Sequence, residues 1–259
     1  MDVMAGDGVR LHVEPGTSNR PPLVLSNSLG TDVSLWDAQV PVFELQASVW
    51  RYDTRGHGRS GVPASETTIE QLGRDLVAVI DATGRAPVDV CGVSIGGMTA
   101  LWVAIHAPDK VRRVVLANTA ARIGTVTMWA ERIRTAREHG MAPLASPTME
   151  RWFTADFRTR RPEVIERFRS VVASTSVDGY VACCAALRDA DLREAAERVR
   201  CPVLVVTGTH DPATPPADGA WLAARIPGAS LIDLDAAHLS NVERSDAFNA
   251  AVRGFLTGE

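Results

Sequence analysis

The feature that most constrains this chain is a sharp turn between a predicted strand and a predicted helix in residues 87–107, PVDVCGVSIGGMTALWVAIHA. The first seven of these residues are mostly apolar and favour a strand, Gly92-Val93-Ser94-Ile95-Gly96 follows, and the remainder has helical periodicity. Such a turn lifts a serine hydroxyl out of the sheet, and its glycines remove side chains that would collide there. The sequence therefore predicts that Ser94 is a nucleophile.

Strands and helices alternate along most of the remaining chain, which predicts an α/β fold with a mostly parallel sheet flanked by helices. At 259 residues and 46% hydrophobic content, the chain is long enough to bury one large core. Further strands are predicted at residues 9–14, 23–26, 47–53, 111–117, 202–208 and 229–234, the first of them at the sheet edge. Further helices are predicted at residues 34–44, 68–83, 192–200, 216–226 and 239–256.

Residues 122–190 break this alternation, because they contain helical patterns and three prolines but no convincing strand. We interpret them as a helical cap inserted into a core made of residues 1–121 and 191–259. The cap has 11 arginines against 8 acidic residues, whereas the rest of the chain has a net charge of −7. A basic lid favours a small anionic substrate, with Trp129, Arg132 and Arg134 as candidate contacts. An arginine-rich solvated surface is the alternative interpretation.

Charge and hydropathy argue against several other classes of protein. The net charge of −4 argues against nucleic acid as the main partner. No apolar run approaches the ~18 residues of a membrane span, and residues 1–10 do not resemble a signal sequence, so we expect a cytoplasmic enzyme without a membrane partner. The cysteines lack metal-ligand spacing, so we expect reduced thiols and no metal, with Cys91 and Cys201 as small buried side chains.

Candidates for a catalytic acid and base follow two late strands. Asp211 comes just after the predicted strand PVLVVTG, and His238 lies in the loop after the last predicted strand. The order Ser94, Asp211, His238 is that of the nucleophile, acid and base of an α/β-hydrolase. His238 would accept the Ser94 proton while Asp211 holds the other side of the ring. The rival candidates are Asp233 and Asp235 for the acid and His210 and His57 for the base.

Two loops are expected to complete the site. The loop at residues 27–32 follows an early strand, where this architecture supplies one oxyanion donor, and the residue after the nucleophile supplies the other. The predicted donors are therefore the backbone N–H groups of Leu29 and Ile95. The alternative is that residues 27–32 form only a turn and a helix cap. Residues 53–60, DTRGHGRS, are interpreted as a structural loop under the site, which favours a structural role for His57.

Five stretches of the chain together form a recognisable pattern. They are LSNSLGTDVSLWD (25–37), RYDTRGHGRSGVP (51–63), CGVSIGGMTALWVA (91–104), GTHDPATPP (208–216) and AAHLSNVE (236–243). This pattern resembles the 3-oxoadipate enol-lactonases, which are α/β-hydrolases of the β-ketoadipate route of aromatic degradation. The most discriminating sign is Ser-Asn-Ser-Leu-Gly-Thr in place of the commoner His-Gly turn. A sixth stretch, TMWAERI at residues 127–133, resembles the first cap helix of the family.

This resemblance implies an α/β-hydrolase fold with an inserted helical cap. It also implies hydrolysis of 3-oxoadipate enol-lactone to 3-oxoadipate through an acyl-enzyme, with no metal or organic cofactor and with a small anionic lactone as the partner. A homo-oligomer is left open. The alternatives are a carboxylesterase, a cofactor-free perhydrolase, a carbon–carbon bond hydrolase, or a non-catalytic ligand receptor on the same fold. A dehalogenase would need a carboxylate where Ser94 stands.

Overall fold

An eight-stranded sheet forms the centre of the computed structural model, which describes residues 1–258. Its strands are Asp2–Met4 (β1), Arg10–Glu14 (β2), Pro22–Ser26 (β3), Ser48–Tyr52 (β4), Val88–Val93 (β5), Val111–Ala117 (β6), Val203–Gly208 (β7) and Ser230–Leu234 (β8). Their spatial order is β1-β2-β4-β3-β5-β6-β7-β8. β1 and β2 pair antiparallel with each other, β2 pairs antiparallel with β4, and all the other pairs are parallel.

The central strands are buried along their whole length. Every residue of β3, β5 and β7 is buried, as expected for parallel strands that are covered on both faces. The predicted α/β fold class is therefore confirmed. One detail of the prediction is wrong: the strand at residues 9–14 is not at the edge, because β1 pairs with its outer side. Since β1 has only three residues and little burial, its sequence carries no periodic signal.

The helices outside residues 122–190 agree with the prediction in part. Residues 34–44 do not form one helix, because a 3₁₀ turn over Val33–Trp36 precedes the short α1. Residues 192–200 contain only a 3₁₀ turn at Ala196–Arg198, and the predicted final helix is interrupted at Arg244. The α-helices of this part are Val40–Phe43 (α1), Ile69–Ala82 (α2), Ile95–His106 (α3), Pro216–Arg225 (α9), Ser240–Glu243 (α10) and Ser245–Thr257 (α11).

Five helices occupy the interval between β6 and β7, which is the interval predicted for the cap. They are Val126–His139 (α4), Ala142–Trp152 (α5), Ala155–Arg160 (α6), Pro162–Ser174 (α7) and Val177–Asp189 (α8). An aromatic cluster joins α5 to α7, since the rings of Trp152 and Phe168 meet edge to face at 6.2 Å. Within residues 1–258, no single helix is long and apolar enough to cross a membrane; α7 and α8 meet that test only together, bent by 94° at their junction.

The loop at residues 53–60, which was predicted to be a structural loop under the site, packs against α8. Gly56 has a φ of +74°, and a Cβ there would lie 2.3 Å from the Cα of Gly179 at the start of α8. The side chain of Arg55 is 2% exposed and forms ion pairs with Asp75 at 2.6 Å and Asp7 at 2.7 Å. Because two carboxylates hold this buried guanidinium, the loop presents a fixed surface on which α8 rests.

Candidate active site

Ser94 lies on a strained turn between β5 and α3. Its φ is +60° and its ψ is −122°, which are unfavourable angles for a residue with a Cβ. Both flanking glycines are required by close backbone contacts: a Cβ at Gly92 would lie 2.2 Å from the carbonyl oxygen of Gly96, and a Cβ at Gly96 would lie 2.3 Å from that of Ser26. The sequence therefore folds here into the geometry of a nucleophile elbow.

Asp211 and His238 meet at the carboxyl ends of β7 and β8. The Nδ1 atom of His238 is 2.8 Å from Oδ2 of Asp211, and both side chains are almost completely buried. This leaves Nε2 as the ring nitrogen that is available to a substrate or nucleophile. Within residues 1–258 the structure has no hydrogen bond from the Ser94 hydroxyl to His238, whose hydrogen-bond partners are Asp211 and Thr214.

The carboxylate of Asp211 is surrounded by donors. Oδ1 accepts hydrogen bonds from the backbone N–H groups of Ala213 at 2.8 Å and Thr214 at 3.1 Å, and Oδ2 accepts one from the Thr214 hydroxyl at 2.7 Å. Burial opposes ionisation, but the adjacent His238 and the Thr214 donors outweigh it and lower the pKa of Asp211. Asp211 is therefore a carboxylate at neutral pH.

The end of β6 joins the separate parts of the site. The backbone N–H of Ser94 donates to Ala117, and the Thr119 hydroxyl donates to the carbonyl oxygen of Ser94 at 2.7 Å. Between these residues, the amide of Asn118 donates to Asp211 at 3.1 Å. Asn118 was not among the site residues predicted from the sequence. Its position at a strand's carboxyl end was the signal that could have marked Asn118.

Two backbone N–H groups remain candidates for an oxyanion hole. Ile95 is the first residue of α3, and the loop that carries Leu29 touches the elbow at Asn27, whose carbonyl oxygen would lie 2.6 Å from a Cβ at Gly96. In the part of the chain that the structure describes, neither N–H has a hydrogen-bond acceptor. Asp32 caps the following turn, since its carboxylate accepts from the N–H of Ser34, so the loop is also a helix cap.

The rival acids and bases have partners other than Ser94. His210 is exposed and pairs with Asp235 at 2.9 Å, and Asp235 also binds Arg244. Asp233 accepts from the Thr207 hydroxyl. His57 is buried with Nδ1 3.1 Å from the carbonyl oxygen of Arg55, as expected for a structural side chain. The rivals therefore have other partners than the nucleophile elbow.

The cap places two arginines side by side without a carboxylate partner. Arg132 on α4 and Arg151 on α5 are both partly buried and both approach the hydroxyl of Thr148, at 3.5 and 2.9 Å. Within residues 1–258 neither guanidinium forms a salt bridge. Burial and the charge of Arg132 lower the pKa of Arg151 to about 10, so Arg151 remains a cation at neutral pH. Nothing in the sequence pattern distinguished Arg151 from the other arginines of the cap.

Aromatic rings connect this arginine pair to the loop of Leu29. The guanidinium of Arg132 lies over the rings of Trp129 and Tyr180, at 5.3 and 5.9 Å from their centroids. A Cβ at Gly30, the residue after Leu29, would lie 3.8 Å from the same Tyr180 ring. One ring therefore lies beside both the loop of Leu29 and the arginine pair. Arg134 is exposed and lies outside this cluster, so the structure does not bring it to the other two candidates.

The thiols and possible metal ligands complete the inventory of reactive groups. Cys91 is buried in β5, where burial strongly raises the pKa of its thiol. Cys201 is only partly buried, so its interpretation as a buried side chain was wrong. No group of three or more His, Cys, Asp or Glu side chains within residues 1–258 is arranged to hold a metal ion.

Comparison with known proteins agrees with this geometry. A family model described as the alpha/beta hydrolase fold matches residues 21–245. The chain is 43% identical to 3-oxoadipate enol-lactonase 2 of Acinetobacter baylyi over 241 residues, which cover 93% of this chain and 90% of the relative. The chain belongs to the 3-oxoadipate enol-lactonase family of α/β-hydrolases. The resemblance stated from its motifs is therefore confirmed.

Other members of the family and a solved structure agree. A second relative in Acinetobacter baylyi, 3-oxoadipate enol-lactonase 1, is 36% identical over 93% of this chain and 90% of its own length. The crystal structure of the enol-lactonase from Burkholderia xenovorans LB400 is 44% identical, covers 99% of this chain and 100% of that chain, and superposes with a TM-score of 0.97. The likeness extends over the cap as well as the sheet.

Proposed function

We propose that this chain hydrolyses 3-oxoadipate enol-lactone to 3-oxoadipate, with Ser94 as nucleophile, His238 as general base and Asp211 as the acid that orients it. The observation that carries the proposal is the 43% identity to a 3-oxoadipate enol-lactonase over nearly the whole chain. The hydrogen bond between His238 and Asp211 and the strained turn at Ser94 support the assignment of roles.

Acylation would open the lactone ring. The Ser94 hydroxyl attacks the lactone carbonyl while His238 Nε2 takes its proton, and the N–H groups of Leu29 and Ile95 hold the oxyanion. The tetrahedral intermediate then collapses, and the bond between the carbonyl carbon and the ring oxygen breaks. The leaving oxygen departs as an enolate, receives the proton from His238 and remains part of the acyl chain. Its tautomerisation to a ketone makes the step hard to reverse.

Deacylation would release the product. A water molecule replaces Ser94 as the group that His238 deprotonates, attacks the acyl carbonyl and forms a second oxyanion in the same pair of N–H groups. Collapse returns the proton to Ser94 and frees 3-oxoadipate. Throughout this cycle, Asp211 holds the Nδ1 side of the ring and stabilises the imidazolium.

The arginine pair in the cap is the part of the site that suits an anionic substrate. Two adjacent guanidinium groups without a carboxylate repel each other, and their partial burial weakens screening by solvent. A substrate carboxylate between Arg132 and Arg151 would relieve this repulsion and form charge-assisted hydrogen bonds. We therefore assign the carboxylate side chain of the lactone to Arg132 and Arg151, with Trp129 supporting Arg132, and leave Arg134 out of the site.

Replacing Arg151 by methionine should raise KM for the enol-lactone by roughly 10- to 100-fold, because a hydrogen bond to a charged group contributes about 1.5–3 kcal/mol. The value of kcat should change little, and hydrolysis of a neutral nitrophenyl ester should not change. Steady-state kinetics on both substrates measure the effect, with Arg137→Met, an exposed change on α4, as the matched control. Equal losses on the lactone and the neutral ester would contradict the assignment.

The proposed substrate is tested by comparing kcat/KM for the enol-lactone, followed by loss of its ultraviolet absorbance, with kcat/KM for a short-chain nitrophenyl ester. We expect the lactone to be preferred by orders of magnitude, because only the lactone uses the cap arginines. Preference for the simple ester would leave a serine hydrolase of the carboxylesterase kind. Binding of the lactone without turnover of either compound would leave a ligand receptor on this fold.

A further inference from the structure

A buried amide at the end of β6 contacts both loops of the proposed acid–base pair. Asn118 is 1% exposed, and its Nδ2 donates to Asp211 Oδ2 at 3.1 Å and to the carbonyl oxygen of Ala237 at 3.2 Å. Asp211 belongs to the loop after β7, whereas Ala237 directly precedes His238 in the loop after β8. One amide group therefore spans the two loops whose separation sets the distance between carboxylate and imidazole.

Ser240 fixes which end of this amide faces the carboxylate. The Ser240 hydroxyl is fully buried and donates to Oδ1 of Asn118 at 2.5 Å. If the amide turned over, its oxygen would face the Asp211 carboxylate and the Ala237 carbonyl, and all three are acceptors only. The observed orientation satisfies every contact, because a donor faces each acceptor.

The backbone at this position is also unusual. Ser94 and Asn118 are the two non-glycine residues with positive φ in the described part of the chain, at +60° and +44°. The next residue, Thr119, donates to the carbonyl oxygen of Ser94 at 2.7 Å. A residue keeps such angles only where its surroundings demand them. The same short turn therefore holds the nucleophile elbow on one side and the acid–base pair on the other.

We propose that Asn118 is a positioning residue that holds the Asp211 carboxylate and the His238 loop in register, and that Ser240 acts through Asn118 by fixing its amide. This inference rests on the proposed triad and deepens it. Without the Asn118 amide, Oδ2 of Asp211 keeps its donors His238 and Thr214, but the carboxylate loses its link to Ala237. Small displacements of the pair then suffice to slow proton transfer from Ser94.

The test uses Asn118→Leu, Ser240→Ala and the double variant, assayed on a short-chain nitrophenyl ester so that lactone preference does not enter. Asn118→Leu should lower kcat by about 10- to 100-fold with KM nearly unchanged, since a misplacement of about 1 Å can cost about 100-fold. Ser240→Ala should cost less. The double variant should match Asn118→Leu alone, because Ser240 has nothing to orient once the amide is gone.

Asn118→Asp supplies a second readout that packing alone would not move. The titratable groups that face Asp211 are His238 and, at longer range, Asp218 on α9, whose pKa is raised by burial and by the charge of Asp211. A new carboxylate beside Asp211 favours the protonated form of the neighbouring base. The acidic limb of the pH profile of kcat/KM should therefore move to higher pH.

The matched control is Asn249→Leu, which removes another buried asparagine, one that binds Gln39 and Ala38. It should lower the thermal midpoint but leave kcat and the pH profile unchanged.

If Asn118→Leu behaves in the same way and Asn118→Asp leaves the acidic limb of the pH profile in place, Asn118 is only structural and the inference is wrong. If the losses of kcat add up in the double variant, Ser240 does not act through Asn118, and that part of the inference is wrong. If Asn118→Leu does not fold, Ser240→Ala and Asn118→Asp decide the question. Activity retained by Ser94→Ala would instead overturn the proposed triad itself.

Discussion

Replacing Ser94 by alanine is expected to abolish hydrolysis of both the enol-lactone and a simple ester while leaving the fold intact. Removal of the nucleophile of such a triad lowers kcat on the order of 10⁶-fold, and the remainder comes from binding and the oxyanion hole. Alanine keeps the Cβ that the turn at +60° already accommodates, and the N–H of residue 94 still donates to Ala117. The thermal midpoint should therefore stay close to that of the wild type.

The measurement combines the two activity assays with thermal unfolding of the same samples. Ser48→Ala is a suitable control, because Ser48 is also a buried serine but lies at the amino end of β4, away from the elbow. That variant should retain its activity. A Ser94→Ala protein with more than about a hundredth of wild-type activity would show that another group attacks the substrate.

The fold, and the edge of the sheet on which the three proposed triad residues lie, could be predicted from sequence, because both depend on local patterns and one topological rule. Ser94, Asp211 and His238 each follow an apolar stretch that becomes a parallel strand, and the carboxyl ends of such strands meet at one edge of the sheet. Knowing which segments form strands was therefore enough to place the three residues at that edge. The hydrogen bond between Asp211 and His238 at 2.8 Å follows from that convergence.

The cap site could not be predicted in the same way. Helical patterns were expected within residues 122–190, without bounds for the separate helices, and helical periodicity says nothing about which arginine pairs with which carboxylate across those helices. Most cap arginines are exposed and ion-paired, as Arg169 is with Glu166, whereas Arg132 and Arg151 converge without a carboxylate. That difference is a property of tertiary packing. Arg134 was a candidate contact together with Arg132, yet it is exposed, because helix positions two residues apart do not share a face.

The interrupted helices have a similar cause. Residues 239–256 have one helical pattern, but the helix is interrupted at Arg244, whose φ is −126°. Just before the break, Glu243 accepts hydrogen bonds from the backbone N–H of Ala237 at 3.0 Å and from Thr154 in the cap. The short α10 thus ties the His238 loop to the cap. This tertiary requirement overrides the local preference for one continuous helix.

Replacing Asp211 by asparagine is expected to lower kcat by about 10⁴-fold with little change in KM. Oδ1 can keep its bonds from the N–H groups of Ala213 and Thr214, so the new NH₂ group takes the place of Oδ2. There it faces His238 Nδ1 and the Asn118 amide, both of which were donors to the carboxylate. His238 must then accept at Nδ1 and carry its proton on Nε2, where it cannot take the proton of Ser94.

The control for this variant is Asp218→Asn, which removes a nearby half-buried carboxylate without touching His238. This variant keeps the hydrogen bond between Asp211 and His238 Nδ1 and removes only a nearby charge. Its activity should therefore stay within a few-fold of the wild type. The Asp211→Asn protein should also bind the lactone normally, since Arg132 and Arg151 are unaffected. If it retained more than about a tenth of kcat, the carboxylate would not set the tautomer of His238. The acid would then have to be Asp233, which accepts a hydrogen bond from Thr207, or Asp235, which pairs with His210 and Arg244.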